Sequence, residues 1–112
     1  MKMVMAILYK DDEEETTREL HANRFFVTKL STTGGLLRRK NVTLLIVTED
    51  ENVPKVLEII KNNSGERKTL SYINTASMPD RYGISSFPMV PVNIQTGGST
   101  VFILNVEQFE KY

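Results

Sequence analysis

Ten consecutive residues concentrate the chain's capacity for chemistry: Thr32-Thr33-Gly34-Gly35-Leu36-Leu37-Arg38-Arg39-Lys40-Asn41. Glycines let the backbone take positive φ and turn its amide groups toward an anion, and the cations just beyond supply matching charge. That is the composition of a phosphate-binding turn. It is equally the composition of a hairpin tip whose basic residues stand in water, because short Gly-rich loops are weak motifs. Asn41 can read an adenine edge, since its amide both donates and accepts, or it can simply close the turn. Phe102, in an apolar run near the chain end, can stack on a nucleobase or belong to the core.

The rest of the inventory argues for binding over catalysis. The single histidine, His21, falls on a polar helical stretch and reads as an exposed side chain. One histidine and no cysteine do not build the usual zinc or transition-metal site, and no cofactor is expected. The acidic run of residues 11–15 could suggest a cation site, but nothing near it offers further ligands, so it reads as a solvated helix start. No nucleophile motif or paired-acid spacing stands out.

A length of 112 residues fits one domain. Fourteen basic and fourteen acidic residues give a net charge of zero, which argues against a nucleic-acid or membrane-surface binder. The apolar opening, residues 1–8, lacks the length and cleavage pattern of a signal peptide, and no stretch is long enough to span a bilayer. A soluble cytoplasmic protein is the expectation.

The elements that must position these residues follow in order. Residues 3–9 read as a buried strand. Asp11 or Asp12 is expected to cap a helix running to about Asn23, with a thin apolar stripe of Thr16, Thr17, Leu20 and Ala22. Residues 25–30 and 42–48 read as strands of a hairpin-like unit with the Gly-rich stretch at its tip. Val53, Val56, Leu57 and Ile60 mark one face of a second helix, with Pro54 in its first turn and Gly65 as a left-handed cap. Residues 66–88 read as a long loop, functional or mobile, with a short strand conceivable at 67–73. Residues 90–96 alternate, Gly97-Gly98 signals a turn, and residues 99–106 return as the second arm of a hairpin.

This order is α+β, the βαββαβ pattern of a ferredoxin-like fold with an extra β-hairpin strand and a long loop before the C-terminal strands. Two helices cover one face of such a sheet. Yet residues 3–8, 42–47 and 101–104 are apolar at successive positions, so both faces call for burial. A homo-oligomer is therefore expected.

Taken together, Met1-Lys2-Met3, residues 27–38, Asn41-Val42-Thr43-Leu44-Leu45, Gly97-Gly98-Ser99-Thr100-Val101-Phe102 and Val106-Glu107-Gln108-Phe109 resemble the PII-like cyclic di-AMP receptor proteins. The resemblance runs over most of the chain, in order. It implies a single PII-like ferredoxin-like domain over 1–112, without enzymatic activity, forming a homotrimer. Cyclic di-AMP would bind between neighbouring subunits, and loops would relay its state to a protein partner. On this resemblance Thr28 is a polar contact, and Gly35, Leu36 and Leu37 touch the ligand largely through backbone. Asn41 is a side-chain contact, and Phe102 lies against a base.

Four positions depart from the family pattern. Arg24 stands where the family typically has Asn, Phe26 where it has a ligand-binding Arg, Val47 where it has Gly, and Lys111 where it has Gln. Losing the Arg removes a charge-assisted contact. Arg24 and Lys111 can restore positive charge, and Phe26 can stack on a base. The expectation is a pocket that binds cyclic di-AMP more weakly or prefers a related adenine nucleotide. A structural or adaptor oligomer with a lapsed pocket is the reading from a different class.

Overall fold

The computed structural model describes residues 1–31, 41–74 and 89–112. The chain divides into two compact units, Met1–Glu66 with Gly97–Tyr112, and Arg67–Thr96.

The larger unit is built on four antiparallel strands: β1 (Lys2–Tyr9), β2 (Thr28–Ser31), β3 (Asn41–Thr48) and β6 (Ser99–Asn105). Their order across the sheet is β2-β3-β1-β6, that of a ferredoxin-like fold. Two helices, α1 (Lys10–Ala22) and α2 (Val53–Ser64), follow β1 and β3, the latter after a 3-10 turn at Asp50–Asn52. Side chains alternate along a strand. Val4, Ala6 and Leu8 of β1 and Val42, Leu44 and Ile46 of β3 therefore face the helices, where they meet Leu20, Val56, Ile59 and Ile60 in one buried core. Each of these Val, Leu or Ile side chains withdrawn from water contributes about 1.5–3 kcal/mol, and Ala6 less.

The helix α2 matches its pattern, with Val56 and Ile60 buried and Val53 and Leu57 packed at the core margin. Ile59, which the spacing did not single out, is also buried. Gly65 is not a left-handed cap: its φ is −71° and its ψ 160°, an extended conformation. A glycine is needed there for space, since a Cβ would lie 2.4 Å from the Lys61 carbonyl oxygen.

The start of α1 also differs from expectation. Tyr9 occupies the N-cap, because β1 runs straight into the helix, and Asp11, Asp12 and Glu13 fill the first turn. There they favour the positive end of the helix dipole. Thr16 and Leu20 are buried as expected, whereas Ala22 is exposed. The Thr16 hydroxyl donates to the Asp12 carbonyl oxygen at 2.7 Å, and Ser64 does the same to Ile60. These bonds let two hydroxyls sit in the core at little cost.

The end of α1 is a Schellman turn. The Arg24 amide donates to the His21 carbonyl at 2.9 Å and the Phe25 amide to the Leu20 carbonyl at 3.0 Å. The motif needs a left-handed residue, and Arg24 supplies it at φ 66°. Phe25 then packs against the core.

The smaller unit pairs β4 (Arg67–Asn74) with β5 (Met89–Thr96), from Arg67 opposite Thr96 to Asn74 opposite Met89. This corrects the expected C-terminal hairpin. β5 pairs with β4, and β6 pairs with β1 in the other sheet. Gly97 and Gly98, with φ 77° and 123°, carry the chain from one sheet to the other. The physical reason is that β1 is apolar on both faces and its free edge takes the apolar β6. Residues 67–74, inside the expected loop, form a full strand, and residues 75–88 lie outside the described residues.

Arg24 adopts a backbone conformation that costs a β-carbon-bearing residue about 1–2 kcal/mol. Arg24→Gly is expected to raise unfolding stability by about 0.5–1 kcal/mol, after the added flexibility of the unfolded chain is counted. Urea titration of both proteins measures the difference.

Candidate functional site

The face of the sheet turned away from the helices carries the described candidate residues. Met3, Met5 and Ile7 of β1, Leu45 and Val47 of β3, and Phe102 and Leu104 of β6 alternate onto it. The pairing aligns Thr28 with Leu45, Leu45 with Met5, and Met5 with Phe102. One row thus crosses four strands, with a hydroxyl at one end and an aromatic ring at the other. The candidate Asn41 is also on this face, at the start of β3 opposite Tyr9.

Thr28 and Phe102 are three strand spacings apart, about 14 Å, and Asn41 stands about 13 Å along β3 from the row. No single group of a ligand can touch two of them within one chain. The candidates Gly35, Leu36 and Leu37 lie outside the described residues.

Two depressions hold two of the described candidates, Thr28 and Asn41. Thr28 lines one of about 450 Å³, whose apolar walls are Met1, Met3, Leu45 and Phe109. Phe26, Val47 and Lys111 complete it. Three of the four departures from the family pattern therefore gather around Thr28. Phe26 is there because Phe25 and Val27, in the segment leading into β2, pack against the core and leave the residue between them outside. Its ring is 85% exposed, and the Lys111 ammonium sits 5.7 Å from the ring centroid, within cation–π range. The fourth departure, Arg24, holds the left-handed position of the Schellman turn. Asn adopts that conformation more readily than Arg, so this change bears on the backbone.

Charges around the first depression are tied to their neighbours. The Met1 amine meets Asp50 at 2.8 Å; the hydrogen bond raises the pKa of the amine and lowers that of the carboxyl. In the tail, Glu110 accepts hydrogen bonds from Tyr112 and Gln108, which hold its carboxyl below its ordinary pKa and push the Tyr112 phenol up.

Asn41 lines the second depression, of about 330 Å³, with Tyr9, Gly97, Gly98, Ser99 and Thr100 among its neighbours. The amide of Gly98 donates to the Ser64 carbonyl at 2.9 Å, which fixes this wall to the end of α2. Phe102 lies outside both depressions and is half exposed. Sequence reasoning missed Met3 and Leu45 as walls. Their signal was period-two alternation, which puts them opposite the buried Val4 and Leu44. Tyr9 and Phe109 carried no local signal.

Among the described residues no group of three or more His, Asp or Glu is placed to hold a metal. His21 is exposed at the end of α1. No described helix is long and apolar enough to cross a membrane.

A two-helix, four-strand ferredoxin-type sheet with depressions at its uncovered face defines a PII-like architecture. The family model of the cyclic-di-AMP receptors matches residues 1–112, and the chain belongs to that family. It is also similar to the crystal structure of a functionally unknown protein from Pediococcus pentosaceus ATCC 25745. The two share 37% identity and a TM-score of 0.75, over 99% of this chain and 96% of that one.

Gly98 has φ 123°, outside the range side-chain-bearing residues readily adopt, and a Cβ there would meet the Tyr9 ring at 3.7 Å. The expected cost of Gly98→Val is about 1–3 kcal/mol of stability, from backbone strain at the wall beside Asn41. A lowered urea midpoint with unchanged slope would register it.

Proposed function

We propose that this chain is a non-enzymatic PII-like signal-transduction protein that binds cyclic di-AMP in the clefts between subunits of a cytoplasmic homotrimer. Its loops relay the bound state to a protein partner. The hairpin Arg67–Thr96 is then an excursion of a single domain. The observation that carries this reading is the family match over the whole chain. The spacing of Thr28, Asn41 and Phe102 on one uncovered face supports it: each stands at a different margin of the sheet, where a neighbouring copy could complete a cleft. The exposed apolar side chains of that face, with Phe102 50% and Leu104 42% accessible, are what a neighbouring subunit would cover. Asn41 supplies an amide for a base edge, Phe102 a stacking surface, and Gly35, Leu36 and Leu37 backbone contacts.

A second reading keeps the trimer and changes the ligand to another adenine nucleotide. It is favoured by Phe26, Val47 and Lys111 surrounding Thr28.

Thermal shift against a nucleotide panel tests both. A ligand at 100 times its Kd stabilises the folded state by about 2.7 kcal/mol. Cyclic di-AMP is expected to give such a shift, and Asn41→Ala to remove it without changing the oligomer. A shift with a different adenine nucleotide alone would favour the second reading. No shift with any nucleotide would favour a structural or adaptor oligomer.

Light scattering addresses assembly. Met5→Glu puts a charge at the centre of the uncovered face and is expected to convert a trimer to monomers. A monomer before substitution would remove the inter-subunit site.

A further inference from the structure

The depression beside Thr28 has an unusual division of chemistry. Its walls, Met3, Leu45, Val47 and Phe109, are apolar and carry nothing that reads a hydrogen-bonding pattern. Phe26 presents a ring that is 85% exposed, a large aromatic surface left in water just before β2 begins. Lys111 holds its ammonium 5.7 Å from that ring. Thr28 is the one hydroxyl among the described side chains that line the space. A planar ring and a mobile cation side by side suit a heteroaromatic base with a phosphate next to it. The ring stacks on the base, and the ammonium leaves the ring face for the phosphate.

Neither contact distinguishes one base from another. Every base has a π-face, so stacking is sequence-tolerant. An ammonium is a point charge without the planar, two-pronged geometry that lets a guanidinium recognise an edge. We propose that Phe26 and Lys111 are the affinity-determining pair of this depression and that they make it a weakly discriminating site for purine cyclic dinucleotides. This rests on the function proposed above and adds that guanine is accepted alongside adenine. Val47 works in the same direction. Its side chain adds apolar bulk to the wall and no donor or acceptor.

Calorimetry of the full chain with cyclic di-AMP and with cyclic di-GMP tests the inference. The two Kd values are expected to fall within about tenfold of each other, since stacking and charge do not distinguish the bases and the Asn41 amide, which both donates and accepts, can meet either purine edge. Phe26→Leu keeps apolar volume and removes the π-face. It is expected to weaken both ligands by about tenfold or more, the range that base–aromatic stacking supplies. Lys111→Gln is expected to weaken both and to flatten the dependence of Kd on salt. Both residues are exposed, and unchanged melting without ligand verifies that each variant folds. A preference for cyclic di-AMP above about a hundredfold, or unaltered affinities in Phe26→Leu, overturns this inference and leaves the receptor function standing. If the unsubstituted chain binds neither dinucleotide, the proposed function fails and the inference with it.

Discussion

Everything in the larger unit depends on a shortage of cover. Four strands present two faces, and two helices can bury only one of them. The central strands do not adapt by becoming polar on the other side. Met3, Met5 and Ile7 on β1, and Leu45 and Val47 on β3, continue an apolar surface across the uncovered face. Phe102 and Leu104 extend it on β6. The helix-covered face, with Val4, Ala6, Leu44 and Ile46 fully withdrawn from solvent, supplies the stability of the single chain. The uncovered face leaves Phe102 and Leu104 exposed.

That arrangement also sets the spacing of the candidate residues. A strand register spreads Thr28, Asn41 and Phe102 over distances that no side chain bridges. Each stands at the margin of the same apolar surface. The Schellman turn before Phe26 and the Gly98–Ser64 bond beside Asn41 fix two of these margins through backbone hydrogen bonds.

The degree to which this was legible in the sequence varied with the range of the cause. α2 was readable because four apolar residues at helical spacing and a proline in the first turn are local signals. The two-faced apolar character of β1 and β3 was readable for the same reason, and it led directly to the expectation of an uncovered face. Strand partners are a different matter. Gly97-Gly98 between an alternating run and an apolar one has the local appearance of a hairpin turn. Whether β6 pairs with β5 or with β1 is decided by an edge some ninety residues earlier in the chain. The pairing of Phe26 with Lys111 was invisible for the same reason, although each had been singled out separately. Gly65 was identified as necessary for its dihedral angles, when the nearby Lys61 carbonyl is what excludes a side chain. The residue that does take a left-handed conformation, Arg24, carries no glycine signal at all.

The hydrogen bond from Gly98 to Ser64 joins the last residue of α2 to the first step of the chain's return. All that lies between them leaves and re-enters through a doorway that the core itself keeps closed. A segment held in this way is thermodynamically cheap to resize, because doubling a loop adds only about 0.6 kcal/mol of closure entropy. The doorway marks the boundary between the four-stranded sheet with its helices and the β4–β5 pair.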